Sequence, residues 1–512
     1  MVEDRPLVVF RTAAGPRIGG GHLFRCLAVA QAVRALGART AFALNDATGG
    51  LASVVDGEVR FVEAGDGTAD CVDSGGEIER MLAGFEKVPD WVVIDHYRRG
   101  TDYEEALGEI GASVLSIDDL CRSHAAGFVV DPAPGPDRDR YISAAPDSWL
   151  LLGAEFAPLR QSFMTAPVVQ GSAGSVLIAF GAADPDGMTV RALNALAKRP
   201  NVLLDREVIA LVGSGASHRP AVEAAAAEIG ARVLCDVSDM NGLLAGVSLA
   251  IGAGGVSALE RCCMGIPSIV VEIADNQRPT IDALIAAGAA LEIGLHDFES
   301  DLAPAVAQLL EDTTAWKAMS RAARGLCDGW GAARLADAML RPIRDRSGAQ
   351  ILCRRASRRD AERLFEWQNE PGARRYARNP EPPGWTEHEA WFNAVMGDRN
   401  RLLLVVECQG KPVGMVRYDY LGPGRCEVSI LISQAAVNKG IGGAALCAGE
   451  REACRTFAQS DDLPGMELLA YVDNANTASR RLFHAAGYEP VAGQSGWHSK
   501  LLTCGSYAET GA

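Results

Sequence analysis

Pro6-Leu-Val-Val-Phe10, followed by Arg17-Ile-Gly-Gly-Gly-His22 and then Leu23-Phe-Arg-Cys-Leu27, sets out a strand, a glycine turn and a helix in that order. The apolar run has strand length. Leu23, Leu27, Ala30 and Val33 recur at helical spacing across His22–Leu36, and Gly37 closes the helix. This is the opening unit of a parallel α/β sheet, with the turn at the C-terminal end of the strand. The same order recurs downstream. Trp91–Ile94 and Ser113–Ile117 repeat the strand signature. A second series begins near Ser175 and holds Ser175–Phe180, Val208–Val212, Arg232–Cys235, Leu249–Gly252 and Ser268–Glu272, each followed by a turn and a helix-like stretch. Two such series predict an α/β protein with two Rossmann-like halves facing each other across a cleft.

Beyond them the texture changes. Arg344-Asp-Arg-Ser-Gly-Ala-Gln350 is polar and reads as a linker. Leu402–Glu407 and Val413–Tyr420 read as a hairpin joined at Gln409-Gly410, Cys426–Ser433 as a third strand, and Gly443–Thr456 as a helix. Consecutive strands followed by a helix predict an α+β domain. The expected units are residues 1–165, 166–345 and 350–505.

Composition fits that division. At about 100–200 residues per domain, 512 residues predict two to four domains. The 48% apolar and 22% charged contents exclude wholesale disorder, and 55 glycines with only 6% aromatics suit tight turns and close helix–sheet packing. The net charge is −16. From Gln350 onward 19 basic residues balance 19 acidic ones, so the whole excess lies in the 30 basic and 46 acidic residues before it. No basic patch points to nucleic acid. Glu3, Asp4 and Arg5 precede only a short apolar run, which predicts neither a signal peptide nor a membrane anchor. The 13 cysteines form no CxxC pair and mostly lie in apolar runs, so a cytoplasmic protein is expected.

The glycine turns carry the candidate chemistry. Gly19, Gly20 and Gly21 let the backbone approach a ligand, and the following helix presents unpaired amides to an anion. His22 stands at the mouth of that helix, where an imidazole can orient or deprotonate a water. A tight turn with a capping histidine is the alternative. Gly252-Ala-Gly254-Gly255 precedes the helix Val256–Met264 in a second phosphate-cradle layout. Glu260 on that helix could accept from ribose hydroxyls or be a plain helix-surface carboxylate. Gly181 lies in a third strand-end turn, and Asn276 and Gln277 follow the strand at Ser268–Glu272. Asp95, His96, Asp118 and Asp119 sit at further strand ends, as site residues or as buried structural groups.

Several of these stretches fall into one pattern. Phe10-Arg-Thr, Arg17-Ile-Gly-Gly-Gly-His22-Leu-Phe-Arg25-Cys-Leu27, Ile94-Asp-His-Tyr97, Ile117-Asp-Asp-Leu120, Phe180-Gly181 with Asp184-Pro185, and Ala250-Ile-Gly-Ala-Gly-Gly255 with Glu260-Arg-Cys-Cys263 occur in order along about residues 5–340. The region resembles the UDP-sugar hydrolases of pseudaminic acid biosynthesis, relatives of GT-B glycosyltransferases of the MurG type. The resemblance implies hydrolysis of UDP-2,4-diacetamido-2,4,6-trideoxy-β-L-altropyranose to UDP and the free sugar. It implies His22 as the catalytic residue and no metal. Arg17, Gly19, Gly20, Gly21, Gly181, Gly254, Gly255, Glu260, Asn276 and Gln277 are then the candidates for holding UDP and the sugar. No His, Cys or carboxylate cluster has metal-ligand spacing.

Asn438-Lys-Gly-Ile-Gly-Gly443, with Val472-Asp-Asn474-Ala-Asn476 and Leu482-Phe-His-Ala-Ala-Gly487-Tyr488, resembles the GNAT family of acetyl-CoA-dependent N-acetyltransferases over about residues 350–503. Trp367-Gln-Asn369 and His388 with Trp391-Phe392 resemble the subgroup that acetylates UDP-linked aminosugars. The resemblance places the acetyl-CoA pyrophosphate at Asn438, Lys439, Gly440, Ile441, Gly442 and Gly443, and a further cofactor contact at Asn474. Two positions depart from the family pattern. Val437 replaces the usual Arg or Gln, and Phe483 replaces a common Tyr general acid, which leaves Tyr488, Tyr418 or water as proton donor. Glu427 is a water-relayed base or a plain strand-edge carboxylate. Together the two resemblances imply a bifunctional enzyme that acetylates a UDP-4-amino sugar and hydrolyses the product, with no nucleic-acid or membrane partner. The alternatives are a GT-B glycosyltransferase fused to a protein or amino-acid acetyltransferase, and a non-catalytic sugar-nucleotide sensor.

Overall fold

A computed structural model describes residues 5–15, 18–70, 73–165, 169, 171–457 and 465–503. The chain forms two compact units that divide between Ala336 and Asp337.

The first unit holds two parallel sheets. One comprises β1 (Leu7–Thr12), β2 (Arg39–Asn45), β3 (Glu58–Glu63), β4 (Trp91–Asp95), β5 (Ser113–Ile117), β6 (Phe128–Asp131) and β7 (Trp149–Leu152), in the order β3-β2-β1-β4-β5-β6-β7. The other comprises β8 (Ser175–Ala179), β9 (Val208–Val212), β10 (Arg232–Cys235), β11 (Val247–Ala253), β12 (Ser268–Val271) and β13 (Ala290–Glu292), in the order β10-β9-β8-β11-β12-β13. Both have the Rossmann-type reversal of strand order, and two such sheets in one unit give the GT-B architecture. The reversals fall between β1 and β4 and between β8 and β11. In such sheets the crevice at the C-terminal ends of those strand pairs is where ligands bind.

Each sheet is buried on both faces, as parallel sheets must be. In the second sheet Val176 and Ile178 pack with the helices Met188–Ala197 and Phe298–Glu311. Leu177 between them turns to the other face and packs with the helices Val256–Met264 and Arg278–Ala286. The pleat, with its period of two, assigns the faces.

The second unit is built on a mixed sheet. It comprises β14 (Ile343–Arg344), β15 (Gln350–Arg355), β16 (Arg401–Cys408), β17 (Lys411–Gly422), β18 (Arg425–Ile432), β19 (Met466–Tyr471), β20 (Glu489–Pro490) and β21 (Trp497–Leu502). The segment expected to be a linker is instead the turn of the β14–β15 hairpin. Asp345 fixes it by accepting from the Ser347 and Ala349 amides at 2.8 and 3.0 Å. A polar, glycine-containing stretch suits either role, and only the pairing across it decides. One face of this sheet packs on the helix Ile441–Phe457, the other on the helices Ala361–Asn369 and Trp385–Gly397. β18 pairs in parallel with β19 only as far as Val428 opposite Ala470, while β18 itself continues to Ile432 along β17. The two strands therefore part midway.

A charged cluster lies inside the first sheet's unit. Arg11 on β1 is fully buried, and its Nε donates to Glu77 at 2.7 Å and its Nη2 to Glu63 at 2.5 Å. Arg99 donates to Glu77 at 2.7 Å. Burial alone would raise both carboxyls. The hydrogen bonds from His96 and Arg11 outweigh it at Glu63, and those from Arg99 and Arg11 at Glu77, so both are held at about 2. A carboxyl depressed in the folded state stabilises the fold fully above its unfolded value, and that contribution is lost as pH falls through the folded value. The native protein should therefore lose stability progressively from about pH 4.5 toward pH 2. Arg11→Met should cost about 3–5 kcal/mol in the urea unfolding of the first unit and move the acid loss to higher pH. An unchanged acid profile in that variant would show that the cluster is not what sets it.

Candidate functional site

Gly19, Gly20 and Gly21 follow β1 at the first reversal of strand order, and the helix Gly21–Ala35 starts there. Gly19 adopts φ +73°, a left-handed conformation suited to glycine. A Cβ on Gly19 or Gly21 would meet nothing within 4 Å, whereas one on Gly20 would come within 3.0 Å of the Phe24 ring. The loop is therefore open on two sides, and Gly20 at the helix cap contributes no capping side chain. Arg17 lies outside the described residues.

His22 is 8% exposed, and its Nδ1 lies 2.5 Å from Oδ1 of Asp95, the last residue of β4. Arg25, one helical turn on, donates to the same carboxylate through Nε at 2.9 Å and Nη2 at 2.8 Å. Nη2 also lies 2.9 Å from Nδ1. Two donors can share a carboxylate, but an unprotonated Nδ1 would face it with a lone pair. The proton therefore sits on Nδ1, and Nε2 is left as the basic nitrogen. Burial would raise the Asp95 carboxyl, yet Arg25 and His22 outweigh it and hold it below the usual value. Arg25 reaches on to Asp119 at 3.0 Å, and the Tyr97 hydroxyl donates to Asp119 at 2.9 Å. The Tyr97 ring stands edge-on to His22, centres 4.6 Å apart. From the second sheet, Asn276 Nδ2 donates to the Tyr97 hydroxyl at 3.2 Å. One chain of hydrogen bonds thus runs from the loop after β12 to the His22 imidazole.

The paired strand-end residues divide. Asp95 and Asp119 join His22. His96 turns to the buried cluster, with Nε2 3.1 Å from Glu63, and burial with the neighbouring arginines lowers it to about 4. Asp118 binds Arg122 at 2.7 Å and Tyr141 at 3.1 Å and holds the fold. Consecutive residues leaving a strand point to opposite sides, so one of each pair reaches the crevice. Arg25 and Tyr97 were missed as site residues, although the three-residue spacing of His22 and Arg25 places them on one helix face.

At the second reversal, Gly181 has φ +97° and open space where a Cβ would stand, and Gly255 is equally open. Gly254 has a packing role, since a Cβ there would lie 2.3 Å from Ile281. Glu260 is no plain surface carboxylate. It accepts from Arg160 Nη2 at 3.0 Å, and burial raises it despite Arg160. Gln277 is taken locally by the Ile273 amide at 3.2 Å.

In the second unit, Asn438 and Gly440 have φ of +64° and +84° ahead of the helix Ile441–Phe457. A Cβ on Gly443 would meet nothing within 4 Å, and one on Gly442 would lie 3.2 Å from Leu482. Arg346 packs over Gly440, where a Cβ would lie 2.5 Å from its side chain, so the turn is open only at Gly443; a left-handed turn at a helix start fits a pyrophosphate held by backbone amides. Ile441 is buried in the core, so only its backbone faces the turn. Lys439 is exposed beside it. Asn476 caps the helix Thr477–Ala485, accepting from the Ser479 amide at 3.0 Å. Asn474 donates to Ser495 at 2.9 Å. Tyr418 and Tyr488 are fully buried, and their hydroxyls donate inward, to the Leu446 carbonyl at 3.4 Å and to Glu450 at 3.0 Å. Burial raises both phenols, and both hydroxyls are engaged within the core. Phe483 packs edge-on against Tyr488. His388 is buried and donates through Nε2 to the Ala361 carbonyl at 2.8 Å, a structural tie. Glu427 accepts from Arg378 Nη2 at 2.6 Å.

Residues 350–489 match the family model of the acetyltransferase (GNAT) domain. That stretch of the chain is thus a GNAT-type acetyltransferase domain. The chain is 26% identical over 197 residues to the spore coat polysaccharide biosynthesis protein SpsG of Bacillus subtilis (strain 168), a match that covers 38% of this chain and 56% of that protein. The chain thus spans about half the length of that relative. Among solved structures, Acinetobacter baumannii MurG is 19% identical with a TM-score of 0.46, covering 66% of this chain and 99% of that one. An aminoglycoside acetyltransferase AAC(6')-Ib in complex with coenzyme A is 14% identical with a TM-score of 0.27, covering 31% and 98%. Among the described residues, no group of three or more His, Cys, Asp or Glu is arranged to hold a metal ion, and no helix is long and apolar enough to cross a membrane.

If this turn holds the acetyl-CoA pyrophosphate, Gly440→Val should weaken acetyl-CoA binding at least about tenfold by calorimetry, because a β-branched residue resists the left-handed φ and would meet the Arg346 side chain. Unchanged affinity would place the pyrophosphate elsewhere.

Proposed function

We propose that the chain is a bifunctional enzyme of sugar-nucleotide metabolism. Its GNAT domain transfers acetyl from acetyl-CoA to the 4-amino group of UDP-4-amino-4,6-dideoxy-N-acetyl-β-L-altrosamine. Its first unit hydrolyses the resulting UDP-2,4-diacetamido-2,4,6-trideoxy-β-L-altropyranose to UDP and the free sugar. The observation that carries the hydrolytic reading is the buried His22–Asp95 pair beside an open glycine loop. The similarity to a spore coat polysaccharide biosynthesis protein supports a sugar substrate.

In this reading His22 Nε2 takes a proton from water while the water oxygen attacks the anomeric carbon. The bond from that carbon to the UDP oxygen breaks, and UDP leaves with the bonding pair. Asp95 stabilises the imidazolium that forms and keeps the ring oriented, and the proton passes to solvent afterwards. Gly181, Gly254, Gly255 and the amides opening Val256–Met264 serve the departing diphosphate. Gly19, Gly20 and Gly21, with Arg17 and Asn276, serve the sugar and the attacking water, while Glu260 and Gln277 complete the nucleotide side. On the transferase, the Gly440–Gly443 turn with Asn438, Lys439 and Asn474 holds acetyl-CoA. The amine nitrogen attacks the thioester carbonyl, CoA leaves as thiolate, and the amine proton is lost to water. Positioning supplies most of that rate.

His22→Asn should abolish UDP release from the diacetamido sugar nucleotide, at least about a hundredfold. Acetyl transfer by the same protein should be unchanged. Release of UDP by the parent must occur with water alone. A requirement for a sugar or lipid acceptor would replace hydrolysis by glycosyl transfer, and parent-rate hydrolysis by His22→Asn would remove the histidine from the mechanism.

A further inference from the structure

The connection between the helices Ala361–Asn369 and Trp385–Gly397 brings Arg378 onto the sheet of the second unit. Its guanidinium carbon lies 4.9 Å from the ring centres of both Tyr471 and Trp497. Its Nη2 donates to Glu427 at 2.6 Å. The two rings stand 5.7 Å apart at 70°, on residues paired across β19 and β21. Two π faces and a carboxylate around one position make a cage for a cation. Glu427 lies one residue before Val428, where β18 and β19 part. Its neighbours Cys426 and Val428 pack toward the helix Ile441–Phe457, so the pleat turns Glu427 to the other face of the sheet.

Arg378 is a loosely held occupant. Its side chain is 51% exposed, against 16% for Glu427. An exposed ion pair and a cation–π contact at an exposed site each contribute little, so another cation can displace it. A primary amine awaiting acetylation is an ammonium ion at neutral pH, and its charge matches this cage.

We propose that Tyr471, Trp497 and Glu427 form an ammonium subsite, and that Arg378 fills it in the resting protein as an internal competitor of the acceptor amine. That the acceptor is the UDP-4-amino sugar rests on the function proposed above; the binding of a cation does not. An amine must displace Arg378, so its apparent affinity falls by the fraction of time the cage is vacant. Simple amines are thereby disfavoured against substrates with a second anchor, such as a nucleotide.

The test uses the full chain labelled with 5-fluorotryptophan, the Trp497 fluorine signal being assigned with Trp497→Phe. Tetramethylammonium chloride is titrated against sodium chloride at equal ionic strength. The parent should respond weakly. Arg378→Ala should give a saturable shift at Trp497 with several-fold tighter apparent binding, the size expected when a loosely held competitor is removed. Adding Glu427→Gln should reverse most of the gain. In parallel, Arg378→Ala should lower KM for the UDP-4-amino sugar. Equal affinity in parent and Arg378→Ala, or no saturable shift in a variant whose other fluorine signals are native, would overturn the proposal. So would an unchanged KM for a substrate that is turned over. Saturable binding without any acetylation of that sugar would support the cation subsite and sink the proposed substrate instead.

Discussion

Asp95 is a carboxylate buried at the end of β4, beside the strand that opens the chain, and its charge has to be matched there. An unpaired carboxylate at this depth would cost several kcal/mol. Arg25 and His22 supply the match from one face of the helix Gly21–Ala35. This fixes the helix against the strand end, the tautomer of His22 and the direction of Nε2. Arg25 must then be balanced by Asp119, and Asp119 in turn recruits Tyr97. The site is thus a chain of charge compensations begun by one buried carboxylate.

The same logic separates reactive groups from structural ones. Among the described residues the first sheet has two further buried charged clusters, one around Arg11, Glu63, Glu77 and Arg99 with His96, and one in which His124 Nδ1 lies 2.7 Å from Glu104, beside Asp118 and Tyr141. In both, each histidine has a carboxylate at Nε2 or Nδ1 and lies among groups committed to one another. His22 differs in standing at the first turn of a helix next to glycines that leave open space. Among the described residues of this unit three histidines have carboxylate partners, and the glycine loop distinguishes one of them.

Much of this architecture is legible in the sequence because buried parallel strands are short apolar runs between turns. Ser113–Ile117, Val208–Val212, Arg232–Cys235 and the helix Val256–Met264 have the bounds that the pattern predicts. β3 escapes because Glu58, Arg60 and Glu63 break its apolar run, although Glu63 serves a buried ion pair. The hairpin at Asp345 escapes because its turn has a linker's composition. At the site, the glycines and His22 stand out from local pattern alone. Which of Asp95 and His96 faces His22 depends on the pleat, and Tyr97 meeting Asn276 depends on folding across a long separation. Neither is written in a local stretch. Nor is the pairing of Arg378 with three separate strands, which only the assembled sheet brings together.

Overall charge gives the proposed hydrolysis no help with an anionic substrate, since the −16 resides before Gln350. Binding there must come from loop amides and a few placed side chains. The attack of water on the anomeric carbon is the step to which all of these groups are assigned. Hydrolysis of the diacetamido sugar nucleotide in 18O-labelled water, followed by mass spectrometry of both products, observes that step directly. One labelled oxygen in the released sugar and none in UDP is the predicted result. Label in UDP would mean that a P–O bond breaks, and would contradict a water activated by His22 at the sugar carbon.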